Sequence, residues 1–207
     1  MDKYEKKKIK KNLKKNGCAT LVFAEPFFDI KPNLYEVYKE EVIEKILNQE
    51  MVAIFQGHSE WGARALGNRS MLFDPRNKNA QKIVNKIKGR QWWRPTAATI
   101  LYEHRNDYLE MHGLDESPYM TYAIDAKQKA IDTVPACVHK DNTCRFQTLK
   151  REQNPNYYDL IKLFYDKTGV PLLLNTSFNL KGWPIVETFE DALLTLQYSD
   201  INYLYKI

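Results

Sequence analysis

The sequence has no apolar run approaching the roughly 20 residues that span a bilayer, so a transmembrane helix is not expected and the chain reads as soluble. Cysteine is scarce. Cys18, Cys137 and Cys144 form no CxxC motif and cannot all pair with one another, which excludes a disulfide scaffold and points to a reducing, cytoplasmic setting. Four histidines and these cysteines are too scattered to supply the ligands of a zinc site. The phosphate-cradling loops GxGxxG and GxxxxGK[ST] are both missing, so a nucleotide would have to be held another way. Residues 17–24 form a short apolar stretch after a lysine-rich start, but it runs into Glu25-Pro26 without a cleavage pattern, so export is not expected. There is no internal repeat and no low-complexity linker beyond the first residues.

What is present is unevenly placed. The net charge of +5 divides sharply, because residues 1–15 hold eight lysines against Asp2 and Glu5, a net +6 that leaves −1 for the rest. Residues 1–16 therefore read as a flexible lysine-rich arm, and attraction to nucleic acid is confined to it. No aromatic pattern in the arm suggests base reading. Residues 17–207 are long enough for one domain with a real core. Arginine is rare at eight residues, yet Arg64, Arg69, Arg76, Arg90 and Arg94 fall within one short span. Lysine would serve solvation equally well, whereas arginine's planar fork suits phosphate and carboxylate. The cluster is the first sign of chemistry.

Apolar spacing predicts a helix over 34–49 with Asn33 as N-cap, a buried strand over 51–55, a strand over 70–73 and a helix over 78–88. Extended segments follow at 96–101, 119–124 and 143–149. A helix over 155–167 ends at Gly169, and a strand over 170–174 stops where Leu172-Leu173-Leu174 gives way to Asn175-Thr176-Ser177-Phe178-Asn179. Thr188 and Asp191 cap a last helix, and 202–205 forms a last strand. Mixed helices and buried strands give a single α/β (α+β) domain, with helices flanking a twisted, mixed sheet.

Three segments carry a family resemblance: Gly57-His58-Ser59-Glu60-Trp61-Gly62-Ala63-Arg64-Ala65-Leu66-Gly67-Asn68-Arg69-Ser70, then Lys88-Gly89-Arg90-Gln91-Trp92-Trp93-Arg94-Pro95, then Gly169 through Asn179 with Gly182-Trp183-Pro184. From about residue 34 to the end, the chain resembles the C-terminal domain of the NodU/CmcH-type O-carbamoyltransferases. That resemblance implies a YrdC-like fold, in which a Lys-x-Arg pair and a Ser-x-Asn pair hold nucleotide phosphates. Lys88, Arg90, Ser177 and Asn179 match this tetrad. The implied activity joins a carbamoyl unit to AMP, using ATP and carbamoyl phosphate, with Mg²⁺ as the expected companion of ATP. In complete family members a larger, metal-binding, actin-like domain transfers the carbamoyl group to an acceptor hydroxyl. No such domain is seen in this sequence, so the transfer half is expected to be either a separate partner chain or missing.

Around the tetrad, Arg64, Arg69 and Arg94 are the next phosphate candidates, and Arg145 is a candidate for a second anion. Gln147 and Asn175 offer amides that match a planar carbamoyl group, with Thr176 beside them; strand alternation would place Arg145 and Gln147 on one face. Each residue also has a plain alternative. A single arginine equally suits a salt bridge, His58 and His139 suit the surface, and Cys144 reads as packing unless His139 activates it. Glu60 and Asp74 suit salt bridges or caps unless they assist Mg²⁺. Trp61, Trp92 and Trp93 read as packing, with an adenine platform as the alternative. Two other functions stand beside the carbamoyltransferase subunit: a non-catalytic nucleotide-binding or assembly protein, and a threonylcarbamoyl-adenylate synthase-like enzyme.

Overall fold

The computed structural model describes residues 34–207. The lysine arm, Cys18 and the expected cap Asn33 lie outside the described residues. In chain order the elements are β1 (Tyr35–Glu36), α1 (Lys39–Leu47), β2 (Val52–Phe55), β3 (Arg69–Phe73), α2 (Ala80–Ile87), β4 (Ala97–Leu101), α3 (Arg105–Tyr108), β5 (Leu109–Glu110) and β6 (Ile124–Ala126). Then come α4 (Gln128–Thr133), β7 (Thr143–Cys144), β8 (Phe146–Leu149), α5 (Pro155–Thr168), β9 (Leu172–Ser177), α6 (Phe189–Gln197) and β10 (Tyr203–Lys206).

Seven strands form one mixed sheet in the order β1-β10-β2-β3-β9-β4-β8. The outer pairs β1/β10, β10/β2 and β4/β8 are parallel, and the pairs joining β2, β3, β9 and β4 are antiparallel. A second, antiparallel sheet of β5, β6 and β7 was not foreseen from the sequence. Helix α1 packs on α5, β10 and β2, while α5 lies on β9 and β4. Leu172, Leu173 and Leu174 of β9, fully buried, sit at the centre of the resulting core with Met71, Leu72, Ile100 and Phe164.

Local chemistry sets the boundaries. Pro155 enters the first turn of α5, Asn154 accepts the Tyr157 amide at 3.1 Å, and Gly169 ends the helix at φ 72°. For α6, Thr188 Oγ1 accepts from the Asp191 amide at 3.2 Å, while Asp191 Oδ2 accepts from the Thr188 amide at 2.9 Å. This reciprocal box predicts a measurable loss in Thr188→Ala. About 1 kcal/mol is expected, read as a fall in Tm of about 2–4 °C.

Four expectations need correction. The first helix begins at Lys39 rather than residue 34, because Tyr35 and Glu36 pair with Tyr203 and Leu204 as a strand. Glu41 closes its start by accepting the Tyr38 amide at 2.9 Å. Of 119–124, only Ile124 is extended. The stretch 143–149 splits between two sheets at Arg145, which lies exposed in the break while Gln147 is buried in β8. So these two side chains do not share a face of one strand. Finally, β9 continues through Ser177, because Asn175, Thr176 and Ser177 pair with Leu72, Met71 and Ser70. The polar residues are the end of a central strand.

Candidate anion-binding site

The site is built at the C-terminus of α2. Gly89, at φ 62°, turns the chain back so that the Arg90 amide reaches the Asn85 carbonyl at 3.0 Å. Lys88 is only 3% exposed, and its side chain crosses to the end of β9. Its ammonium donates to the Ser177 carbonyl at 2.5 Å, to Ser177 Oγ at 3.2 Å and to Asn179 Oδ1 at 3.0 Å. Ser177 Oγ and Asn179 Oδ1 are themselves 2.7 Å apart, and Asn179 Nδ2 donates to the Trp183 carbonyl at 2.7 Å. Three of the four tetrad residues therefore touch, although 89 positions separate Lys88 from Ser177.

Arg90 completes the group. Its Nε donates at 2.5 Å to Oδ1 of the fully buried Asn85. The Asn85 amide in turn donates to the carbonyls of Trp92 and Arg94, both at 2.9 Å. Burial, then the charge of Arg90, push the Lys88 ammonium well below the usual lysine range. Burial, then Arg94, hold Arg90 down to about 10. Arg90 thus repels Lys88 on one side and is repelled by Arg94 on the other, and no carboxylate pairs with any of them among the described residues. Such a cluster costs free energy until an anion enters it.

A second assembly holds the loop between β2 and β3, which carries Arg64. Three side-chain amides, two on strands β8 and β9 and one just after β2, receive its consecutive carbonyls. Asn175 donates to Ala65 at 3.1 Å, Gln147 to Leu66 at 3.2 Å and Gln56 to Gly67 at 2.8 Å. The Glu60 carboxylate accepts the amides of Leu66, Asn68 and Arg69 at 2.7, 3.1 and 3.0 Å, and Ser70 Oγ accepts that of Gly67. Side chains therefore satisfy nearly the whole backbone of 65–69, which fixes the loop without regular structure. Burial raises the Glu60 carboxyl, against three backbone N–H groups and Arg69 that lower it.

The predicted residues fall into distinct places. Lys88, Ser177 and Asn179 meet directly, Arg90 is coupled to them through charge, and Arg94 is exposed on the adjoining turn. Arg64 is exposed beside the clamped segment, and Arg145 is exposed elsewhere, between β7 and β8. Arg69 is buried over the Phe55 ring at 3.7 Å, and its guanidinium donates to the carbonyls of Gln56, Gly57, Asn68 and Glu187. It joins segments of the scaffold. Gln147 and Asn175 spend their amide donors on the loop, both in contact with Thr99 Oγ1, and Thr176 pairs with Met71 in the strand ladder.

Cys144 is buried, with its thiol pushed up to about 12, and Cys137 is buried as well, so neither is placed as a nucleophile. His139 is held by Thr143 Oγ1 at 3.0 Å. The tryptophans correct the packing expectation: Trp61, Trp92 and Trp93 all stand exposed, because they lie on loops and turns rather than on core faces. Sequence reasoning passed over Asn85, Gln56 and Thr99. An asparagine inside an apolar helical pattern is the signal that could have found Asn85, since it must have buried partners.

The family model described as "Carbamoyltransferase C-terminus" matches residues 43–206. Nodulation protein NolO of Bradyrhizobium diazoefficiens is 38% identical over 157 residues, covering 75% of this chain and 29% of NolO. The chain covers 24–37% of the length of the curated relatives it matches. Among solved structures, Sua5 of P. abyssi, complexed with L-threonine, superposes with a TM-score of 0.57 at 15% identity, over 81% of this chain and 46% of Sua5. Full-length HypF in its phosphate- and nucleotide-bound form superposes with a TM-score of 0.53 at 16% identity, over 88% of this chain and 23% of HypF. The fold is thus the YrdC-like one that Sua5 and HypF contain. By its match to that family model over most of its length, the chain belongs to the carbamoyltransferase C-terminal family.

Proposed function

We propose that the domain binds ATP and activates a carbamoyl unit as carbamoyl-adenylate, for transfer to an acceptor hydroxyl by an actin-like transfer unit. The observation that carries this reading is the Lys88 and Arg90 pair beside Ser177 and Asn179, with Arg94 next to Arg90, a set of donors with no countercharge among the described residues. Carbamoyl phosphate is the carbamoyl source. Once its phosphate is lost to water, a carbamate oxygen attacks the α-phosphorus of ATP. The bond from that phosphorus to the bridging oxygen breaks, and pyrophosphate leaves.

The protein's part is positioning and charge stabilisation. Lys88 and Arg90 face the phosphates, with Ser177 Oγ and the Asn179 amide orienting oxygens beside them. Arg64 and Arg94 are the next donors, and Arg145 is the candidate for the second anion. Arg69, Gln147, Asn175 and Thr176 act through the scaffold that sets the site. Among the described residues, Mg²⁺ has no protein cage to enter. No cluster of three metal-ligating side chains occurs among the described residues. Glu60 is occupied by backbone amides, and Asp74 by Arg76 at 2.6 Å. No step is assigned to the metal. HypF's phosphate- and nucleotide-bound form supports the reading by fold alone.

The direct test is ATP–pyrophosphate exchange that depends on carbamoyl phosphate. Exchange that occurs equally without carbamoyl phosphate would sink the assigned chemistry, and calorimetry showing no ATP binding would favour an assembly role.

Lys88 adds a pH prediction. Its folded pKa lies below the unfolded value of 10.5, so the ligand-free protein gains stability as pH rises from the folded pKa towards 10.5. An entering polyphosphate favours the protonated amine, so binding takes up a proton and weakens as pH climbs through that window. Calorimetry in buffers of differing ionisation enthalpy should report net proton uptake, which Lys88→Met should remove.

A further inference from the structure

We propose that the Trp92–Trp93 turn is a stacking platform for the base of the nucleotide whose phosphates Lys88, Arg90 and Arg94 hold; this rests on the nucleotide-binding reading above. All four tryptophans of the chain are exposed, and Trp92 and Trp93 are 65% and 58% so. An indole left in water forgoes the burial that its large apolar face would gain. Trp183 recovers part of this by packing edge-on against Tyr198 at 5.8 Å. No ring partner is found for Trp92 or Trp93 among the described residues.

Their backbone is nevertheless firmly held. Gln81 Nε2 donates to the Trp93 carbonyl at 3.3 Å and to that of Arg94 at 3.0 Å. Asn85 Nδ2 donates to the carbonyls of Trp92 and Arg94, and the Arg94 amide closes the turn onto the Gln91 carbonyl at 3.2 Å. Asn85 also accepts from Arg90 Nε. One buried amide therefore fixes both a cation of the anion site and the indole-bearing turn. The ordering entropy of the platform is spent during folding rather than at binding.

Arginines bracket the indoles at positions 90 and 94, so cationic donors and flat π-faces lie within five consecutive residues. That spacing suits one small ligand carrying both an anionic tail and a planar ring. A nucleoside triphosphate carries both, and inorganic polyphosphate carries only the first. Stacking tolerates any base, because every base offers a π-face. The platform therefore adds affinity for the nucleoside part without choosing adenine over guanine.

Tripolyphosphate, ATP and GTP separate the contributions. The wild-type protein should bind ATP and GTP alike, each about tenfold or more tighter than tripolyphosphate, with indole fluorescence quenched by the nucleotides and not by tripolyphosphate. The double variant Trp92→Ala, Trp93→Ala should lose that margin while keeping its affinity for tripolyphosphate. Phenylalanine at both positions should restore most of it. Equal affinity for ATP and tripolyphosphate in the wild type would overturn the platform, as would unchanged ATP affinity in the alanine variant, which would leave the indoles to a macromolecular partner. If the alanine variant misfolds, the wild-type affinities and quenching still decide. Failure of tripolyphosphate itself to bind would instead remove the anion site, and the platform with it.

Discussion

Lys88→Ala and Arg90→Ala are each expected to lower carbamoyl phosphate-dependent ATP–pyrophosphate exchange by about a hundredfold or more, the usual consequence of deleting a preorganised charge from a reacting oxyanion. The two should act differently on the free protein. Lys88 is nearly enclosed, and its ammonium is met by neutral oxygens from Ser177 and Asn179. Removing it relieves a buried charge at the cost of three hydrogen bonds, while Asn179 Oδ1 still accepts from Ser177 Oγ and the Ser177 carbonyl from the Asn179 amide. Arg90 is half-buried, and its loss releases only one bond to Asn85. Arg90→Ala relieves cation repulsion but leaves the buried Asn85 Oδ1 without its donor, so a modest fall in Tm is expected. Lys88→Arg should not rescue activity, because a planar fork cannot present three donors around one nitrogen in this enclosed space. Exchange that persists in Arg90→Ala at wild-type rates would remove it from the phosphate site. Asn179→Ala should reduce exchange less, since it orients rather than neutralises.

Gly67→Ala is expected to cause the largest loss of stability of any single methyl addition in the clamped loop. Gly67 has φ 116°, a conformation closed to ordinary side chains, and an added Cβ would lie 2.2 Å from the Tyr157 ring. Tyr157 is fully buried at the start of α5 and cannot swing aside without opening the core. Strain and overpacking together should cost about 3 kcal/mol or more, a fall of roughly 6–12 °C in Tm for a chain of this size. Because the Gly67 carbonyl is received by Gln56 and its amide by Ser70, the disturbance should spread along 65–69. Hydrogen exchange would show it as lost protection there. A Tm within 2 °C of wild type would refute the close approach, and pairing with Tyr157→Phe would not restore stability, since the ring and not the hydroxyl is in the way.

Much of the fold was legible because each sheet strand and covering helix carries its own pattern. Helix α5 shows its cap, its Pro155 and its terminal Gly169 in sequence, and α6 shows Thr188 with Asp191. The errors lie where tertiary pairing decides. Tyr35 and Glu36 fit a helical spacing, yet β10 offers them a ladder, and that partner lies at the other end of the described sequence. Polar Asn175, Thr176 and Ser177 look like a turn until β3 is placed beside them. The site divides in the same way. Motif matching brought Lys88, Arg90, Ser177 and Asn179 together, but no local pattern reveals that Asn175 and Gln147 serve loop carbonyls, or that Arg69 is spent on its own scaffold. Those roles depend on backbone groups, whose position no side-chain motif records.

The place of β10 between β1 and β2 has a consequence for synthesis. In a chain made from its N-terminus, β2 leaves the ribosome with one flank unfilled, and the strand that fills it is among the last described residues to emerge. Until then β1 has no partner, and the open flank of β2 is a template for mispairing. Nascent chains stalled before residue 203 should therefore resist proteolysis poorly, and they should gain protection in one step once 203–206 clear the exit tunnel.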